Sequence, residues 1–170
     1  MANIIPSAAS DNEGSVAWTQ VSGTSATITT STDHAADGSK SLKVVSAASG
    51  TIKIQTADIT VGAGVTLTTT RSVGFASAGG IFISAYIDFY NGGSYLTTFT
   101  LDNNGNANTS AFDALPDTSV TPASTTKMNF GFQIDFTATS QTVYIDKVQT
   151  DDGTATSDTK KHLLAFFPGF

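Results

Sequence analysis

The sequence has no cysteine and few charged residues. Its 170 residues include no Cys, 8 Lys and Arg, and 14 Asp and Glu, which gives a formal net charge of −6. Without Cys, the chain has no disulfide bond, no thiolate nucleophile and no cysteine metal site. Nucleic acid is disfavoured as a partner, because phosphates are recognised by clusters of Lys and Arg that this chain lacks.

Long apolar runs and helical periodicity are also missing. No run approaches the roughly 20 apolar residues of a membrane-spanning helix, and no long segment repeats its apolar residues every 3.6 positions. The first six residues contain no basic region and no long apolar run, so we expect no secretory signal. Either the protein is made and assembled in a cytoplasm, or a leader is missing from this sequence.

Alternation of apolar and polar residues is the main pattern present. It is clearest at 81–90 and 128–137. Because successive side chains of a strand point to opposite faces, one face of each stretch is predicted to be buried. The predicted inward residues are Ile81, Ile83, Ala85, Ile87, Phe89, Met128, Phe130, Phe132, Ile134 and Phe136. Asn91-Gly92-Gly93 predicts a tight hairpin after the first stretch.

Shorter alternating segments predict the remaining strands. They lie at 26–30, 41–46, 51–56, 65–75, 95–101 and 142–150. Many short strands at regular spacing predict an all-β fold, an antiparallel β-sandwich of the jelly-roll type. We expect one sandwich domain over residues 1–150, followed at 151–170 by a polar linker and an apolar docking tail.

Several segments between these strands carry more specific expectations. Asn3 to Pro6 is predicted to form a short edge strand, and 7–15 and 102–110 are predicted to be loops. Two prolines indicate irregular chain over 113–127. Arg71 has the inward parity of its strand, so we expect it at a sheet edge or paired with a carboxylate.

Three motifs follow one another in the order found in a known family. They are Asn3-Ile4-Ile5-Pro6 followed by Trp18, Asp37-Gly38 followed by Ser41-Leu42-Lys43-Val44, and Tyr144-Ile145-Asp146-Lys147-Val148. Over residues 3–150 they resemble carbohydrate-binding modules of the family 4/9/22 type, which have a galactose-binding-like jelly roll. The chain departs from that pattern where Ser7-Ala8-Ala9-Ser10 replaces Asn-Pro-Ser-Phe, and its tail has no counterpart in the family.

The resemblance implies a structural calcium ion. The family's ligands carry over to Asp11, the Gly38 carbonyl and Asp146, and calcium prefers such oxygen donors. The alternative is that both carboxylates only cap turns. Asp102 to Asn106 is also rich in oxygen donors, but hairpin turns use the same residues.

The resemblance also implies a glycan-binding face on the concave sheet. The residues it would present are Tyr86, Asp88, Tyr90, Asn129, Gln133 and Asp135. Such rings and planar polar groups suit a sugar ligand, and the alternative is a solvated outer face. Trp18 is expected either to fill the core or to serve as a stacking platform.

We predict no enzymatic activity. Asp88 and Asp135 resemble a glycosidase acid pair only in residue type, because nothing in the sequence marks either as desolvated. His34 and His162 lie far apart in the sequence with no nucleophile context, so a catalytic triad is unsupported.

The apolar end of the chain predicts a docking segment. Its large apolar residues are Leu163, Leu164, Phe166, Phe167 and Phe170. We expect this tail to pack on its own sandwich or on a neighbouring subunit; membrane contact is a third alternative, although the tail is too short to span a bilayer.

These features predict a phage virion surface protein, either a capsid decoration or auxiliary subunit or a tail subunit. It would be made in the host cytoplasm, would form a homo-oligomer with capsid or tail proteins as partners, and would present a face to a glycan. The alternative is a free-standing carbohydrate-binding module that recognises a polysaccharide through its concave sheet.

Overall fold

A computed structural model describes residues 3–14, 16–36, 38–77, 79–106 and 112–153. These residues contain one short helix, α1 (Ser7–Ser10), and eleven strands. The strands are β1 (Thr19–Gly23), β2 (Ala26–Ser31), β3 (Ser41–Ser46), β4 (Gly50–Gln55), β5 (Ile59–Thr60), β6 (Thr66–Ala76), β7 (Phe82–Asn91), β8 (Ser94–Asn106), β9 (Asp113–Val120), β10 (Lys127–Phe136) and β11 (Thr142–Asp151). Within this described part of the chain, no helix is long and apolar enough to cross a bilayer.

The strands form two antiparallel sheets that pack face to face. The six-stranded sheet has the order β1-β4-β10-β7-β8, with β5 also paired to β10. The five-stranded sheet has the order β2-β3-β11-β6-β9. This arrangement confirms the predicted all-β jelly-roll sandwich.

The core lies between the two sheets and contains every inward residue predicted for β7 and β10. Trp18 also lies in this core, where its ring is 6.3 Å from that of Phe130 and 5.3 Å from that of Phe132, measured between centroids. Its indole N–H donates to Asn12 Oδ1 over 3.1 Å. Trp18 is therefore a core residue, as one of the two interpretations predicted, and not a stacking platform.

Four predictions for the connecting segments are wrong. Asn3 forms only an isolated bridge to Asp151, so the predicted N-terminal strand is absent, and α1 lies in the predicted loop that follows. Strand β8 continues to Asn106 through the predicted Asn-rich loop. Strand β9 occupies the first half of the segment predicted to be irregular; it lies at a sheet edge, where a proline does not interrupt an internal ladder.

Arg71 is buried in the five-stranded sheet. Its strand, β6, pairs with β11 on one side and with β9 on the other. Of the two predicted alternatives for Arg71, the sheet edge is therefore wrong, and a carboxylate partner stays a prediction.

Candidate functional site

The outer face of the six-stranded sheet brings the predicted glycan-binding residues together. Because the inward parity of β7 and β10 fills the core, their other side chains must point away from it. The two strands are adjacent, and Tyr86 pairs with Gly131, Asp88 with Asn129 and Ser84 with Gln133. The six predicted residues therefore lie on two neighbouring strands of one face.

The ring of Tyr86 lies across β10 at Gly131. A Cβ atom added at Gly131 would overlap this ring, with Tyr86 Cε1 only 2.7 Å away. The hydroxyl donates to the carbonyl oxygen of Ile54 over 3.4 Å. Tyr86 is only 4% exposed, and this burial raises the pKa of its hydroxyl. The sequence predicted Tyr86 on a glycan-binding face or a solvated outer face, and the structure packs its ring against Gly131 on that face.

A cleft of about 200 Å³ lies above this ring. It is lined by Lys53, Ser84, Tyr86, Thr98, Thr100 and Gln133. Lys53 Nζ lies 5.2 Å from the Tyr86 ring centroid, a distance at which a cation is attracted to an aromatic face. The cleft therefore has an aromatic floor with one cation, hydroxyl groups and one amide around it.

Four lining residues of the cleft were missed by the sequence analysis. Lys53 lies on β4, Thr98 and Thr100 on β8, and Ser84 beside Tyr86 on β7. Ser84 lies between the inward residues Ile83 and Ala85, and this alternation was enough to predict that it lies on the outer face. Nothing in the sequence indicated that β4 and β8 flank the β10–β7 pair, because that order is a property of the sheet.

Tyr90 lies at one end of the same face, beside a second set of contacts. Its ring is 5.8 Å from that of Tyr95 between centroids, and Lys127 Nζ lies 5.3 Å from its centroid. Lys127 also pairs with Asp58 over 2.6 Å. These contacts hold Tyr90 at the edge of the face, and Tyr95 extends the aromatic surface into solvent.

Asn129 is buried and its amide group is used internally. Its Nδ2 donates to the carbonyl of Thr56 over 3.2 Å and to Asp58 Oδ1 over 3.0 Å. The hydrogen bond from Lys127 and then that from Asn129 lower the pKa of Asp58. Asn129 therefore supports the Lys127–Asp58 pair. The sequence had predicted that its amide faces a ligand or solvent, and this part of the prediction is wrong.

Asp88 and Asp135 lie too far apart to act as a catalytic pair. Asp88 pairs with Asn129 across the ladder, and Asp135 is six residues further along β10, which separates them by roughly 20 Å. Paired glycosidase carboxylates lie about 5–9.5 Å apart. Each of these carboxylates instead accepts a hydroxyl hydrogen bond, Asp88 from Thr98 and Asp135 from Thr51.

The segments that carry the predicted calcium ligands meet at one corner of the sandwich. Asp146 is buried and accepts from the amides of Ala36 and Lys147, each over 2.8 Å. Asn12, next to Asp11, donates to the carbonyl of Ile145 over 3.4 Å. In the described segments, no group of three or more His, Cys, Asp or Glu is placed to hold a metal ion. Calcium at Asp11, Gly38 and Asp146 stays a prediction, with these oxygens as its donors.

Glu13 has a role at this corner that the sequence did not predict. Its carboxylate accepts from the amides of Ser39 and Lys40 over 2.6 and 2.8 Å, and from the Ser39 hydroxyl over 2.7 Å. These bonds lower the pKa of Glu13, with the Ser39 hydroxyl as the largest cause. Gly38 has a φ of +65°, and a Cβ there would lie 2.9 Å from Glu13 Cδ. Glu13 therefore fixes the turn that contains one of the predicted ligands.

A second cleft of about 220 Å³ lies on the five-stranded sheet. It is lined by Asn3, Thr68, Thr70, Gln149, Thr150 and Asp151. It contains no aromatic ring, and Asn3 Oδ1 is already bonded to the amides of Ile5 and Thr150. The cleft above Tyr86 therefore has the chemistry that is better suited to a ligand. The predicted docking residues Leu163, Leu164, Phe166, Phe167 and Phe170 lie outside the described residues.

No protein-family model matches the sequence, and no curated protein matches it. Many solved structures have a similar fold, and three of them are described below. The C-terminal family 22 carbohydrate-binding module of Clostridium thermocellum Xyn10B is 20% identical, with 86% of this chain and 92% of that chain covered, at a TM-score of 0.64. The family 22 xylan-binding domain of Paenibacillus barcinonensis Xyn10C is 12% identical, with 84% of this chain and 90% of that chain covered, at a TM-score of 0.61.

The third is the enzymatically active domain of tailspike protein 4 from bacteriophage CBA120. It is 16% identical, with 87% of this chain covered at a TM-score of 0.64. This chain spans only 21% of the length of that tailspike chain. The three likenesses show that the protein has the jelly-roll β-sandwich fold of carbohydrate-binding modules.

Proposed function

We propose that this protein is a non-catalytic carbohydrate-binding domain, and that its ligand lies across the outer face of the six-stranded sheet. The observation that carries the proposal is the cleft above Tyr86, where an aromatic floor is surrounded by groups that donate and accept hydrogen bonds. Glycans present hydroxyl groups around an apolar ring face, and this combination matches both parts of the cleft.

The shape of the face favours a chain of sugars over a single sugar. The cleft is small for an enclosed ligand site, but the face continues along β7 from Phe82 to Tyr90. These nine residues, with eight steps between them, extend roughly 27 Å. Phe82 and Tyr95 are exposed near opposite ends of this line, so a polysaccharide lying along it would contact aromatic side chains at both ends and the cleft in between.

The names of the similar structures support the same class of ligand. One describes a cleft that takes part in ligand binding in a family 22 module, and another describes a xylan-binding domain. We propose a non-catalytic domain because Asp88 and Asp135 are separated by roughly 20 Å, too far to act on one glycosidic bond.

Affinity electrophoresis in gels that contain soluble polysaccharides, xylan among them, tests this proposal. We expect at least one polysaccharide to retard the protein, and Gln133→Ala to weaken that binding about fivefold or more, because it removes hydrogen bonds from the cleft. Gln149→Ala, an identical change on the other sheet, is the matched control and should bind as wild type. Equal losses in both variants, or no retardation by any polysaccharide, would contradict the proposal.

We also propose that the protein is displayed on a phage virion, as a capsid decoration, auxiliary or tail subunit with capsid or tail proteins as partners. The similarity of its fold to the tailspike domain favours this location, and the apolar residues at 163–170 supply a docking segment. The two proposals are compatible, since one concerns the location and the other the ligand.

The virion role predicts that purified particles contain the protein in a fixed ratio to the shell or tail subunits. Removal of residues 154–170 should abolish its incorporation while the sandwich still folds. The measurement is mass spectrometry of purified particles, with circular dichroism of the truncated protein as the control for folding. Particles that lack the protein, or that incorporate the truncated form normally, would overturn the virion role and leave glycan binding untouched.

A further inference from the structure

Strand β8 is a long sheet edge, and no other strand among the described residues covers it. It is the last strand of the six-stranded sheet and runs for thirteen residues. Every residue from Ser94 to Thr100 is exposed. An uncovered edge presents unpaired backbone N–H and C=O groups, which can pair with another strand. We propose that β8 pairs antiparallel with β8 of a second copy and forms a two-fold symmetric dimer.

The other three sheet edges are less suited to such pairing. Strand β1 has five residues and a register irregularity after Gln20. Strand β2 has six residues, and half-buried positions alternate along most of it. Strand β9 contains Pro116, which lacks a backbone N–H. From Ser94 to Leu101, by contrast, β8 contains no proline, glycine or charged residue, so the usual protections against edge pairing are missing there.

Exposed apolar side chains accompany this edge. Tyr95, Leu96 and Phe99 of β8 are exposed. Tyr95 lies opposite Tyr90 on the outer side of the strand, whereas Phe99 lies opposite the inward residue Ile87. The first half of β8 therefore has apolar side chains on both sides, and pairing of the edge would cover part of them.

The distribution of charge permits a second copy at this edge, and the symmetry of the pairing selects it. The chain carries a net charge of −6, so two copies repel each other over most of their surfaces. The uncharged stretch from Ser94 to Leu101 is a place where they approach without opposing carboxylates. Antiparallel pairing of identical strands is self-complementary and closes after two copies.

The size of the contact is consistent with a reversible dimer. Eight paired residues extend roughly 27 Å, and the side wall of a two-sheet sandwich is roughly 20 Å thick with its side chains. The two copies would then bury about 1,000 Å² in total, at the lower end of specific interfaces. We therefore expect association that depends on concentration.

Pairing at this edge would join the two six-stranded sheets into one continuous sheet. The two-fold axis would run perpendicular to that sheet, so both outer faces would point to the same side. This consequence rests on the proposed glycan-binding function: two clefts on one side would bind one polysaccharide bivalently. The dimer itself does not depend on glycan binding.

Sedimentation velocity over a range of protein concentrations tests the dimer. We expect the mass of the wild-type protein to rise from that of one chain to that of two, and Phe99→Lys and Leu96→Lys to remain at one chain. Val21→Lys, which places the same charge at an exposed apolar position of the opposite edge strand β1, should dimerise as wild type. A wild-type protein that stays at one-chain mass, or a Val21→Lys variant that fails to dimerise, overturns the proposal.

Disulfide trapping tests the geometry of the pairing while changing one side chain of β8 at a time. Because the chain has no Cys, each residue from Ser94 to Thr100 can be replaced singly by cysteine and oxidised. Directly opposed residues of antiparallel strands have Cα atoms about 4.5–5.5 Å apart, within disulfide range. Cross-linking should peak at the position nearest the two-fold axis and fall on both sides. Thr19→Cys on β1 should stay monomeric, and uniform or absent cross-linking along β8 would overturn antiparallel pairing.

Discussion

Gly131 shows at the scale of one residue how the candidate face is built. Gly131 pairs with Gln55 on β4 and with Tyr86 on β7. It has no side chain, and the Tyr86 ring occupies the space that a Cβ would need. The aromatic floor of the cleft therefore depends on the residue opposite the ring as much as on the tyrosine.

Gly131→Ala should destabilise the protein by about 1–3 kcal/mol, because the added methyl group forces the ring out of its position. It should also weaken polysaccharide binding. Gly93→Ala is the matched control, since nothing lies within 4 Å of a Cβ at that position. Urea unfolding monitored by fluorescence measures both variants. Similar losses for the two changes would show that the ring is not held against Gly131.

A second residue-scale feature, an ion pair on the five-stranded sheet, predicts that stability depends on pH. Asp33 accepts from Lys43 Nζ over 2.7 Å and from the Tyr144 hydroxyl over 3.1 Å. The hydrogen bond from Lys43 is the largest cause that lowers the pKa of Asp33 to about 2. Because the folded-state pKa lies below the unfolded value of about 3.9, the ionised form stabilises the fold above that value.

This stabilisation should be lost as the pH falls from about 4 to about 2. Lys43→Met removes the main cause of the lowered Asp33 pKa, so the melting temperature of this variant should depend less on pH between about 4 and about 2. Lys53→Met, on the other sheet, should leave the profile unchanged and serves as the control. The measurement is the melting temperature at a series of pH values; a Lys43→Met profile as steep as that of wild type would contradict the assignment.

At the scale of elements, β10 is the centre of the six-stranded sheet. It pairs with β4, β5 and β7, and five of its apolar side chains fill the core. The alternation that predicted this strand also predicted which of its side chains face the core.

Phe132→Ala should cost about 3–5 kcal/mol, because it leaves a cavity beside Trp18 and Phe130. Phe82→Ala, at a 43% exposed position on the neighbouring strand β7, should cost far less. Chemical unfolding of both variants gives the comparison. If the two losses were alike, the assignment of inward and outward faces would be wrong.

Strands with weaker alternation were harder to predict. Strand β7 and its Asn-Gly hairpin were predicted closely, since Asn91 pairs with Ser94 around Gly92 and Gly93. Strand β9 was missed because Pro116 and its polar neighbours have low strand propensity, and its conformation is set by pairing with β6. The end of β8 was missed for the same reason, since its Asn residues favour turns when no partner strand is present.

At the scale of the whole molecule, the corner where the N-terminal segment and Ala36 meet β11 joins distant parts of the chain. There Asn12 donates to the carbonyl of Ile145, and the amide of Ala36 donates to Asp146. The predicted calcium ion would add to these contacts only in the folded state.

Calcium chloride should therefore raise the melting temperature of the full chain relative to the protein in EDTA, by mass action on the folded state. Asp146→Asn should abolish the calcium-dependent part of that shift. Asp117→Asn, on an edge strand of the same sheet, is the control and should retain it. A melting temperature that is the same in calcium and in EDTA would mean that the corner is held by hydrogen bonds alone.

The sequence by itself determined the fold class, the strands with clear alternation and the faces of β7 and β10, because these depend on residues that are close together in the chain. Only the tertiary structure decided which strands are neighbours, and with them the cleft between Lys53, Tyr86 and Thr98. It also decided that Tyr86 and Asn129 are buried and that β8 is left at an edge. These properties depend on the order of strands in a sheet, which comes from the packing of distant segments and leaves no local pattern in the sequence.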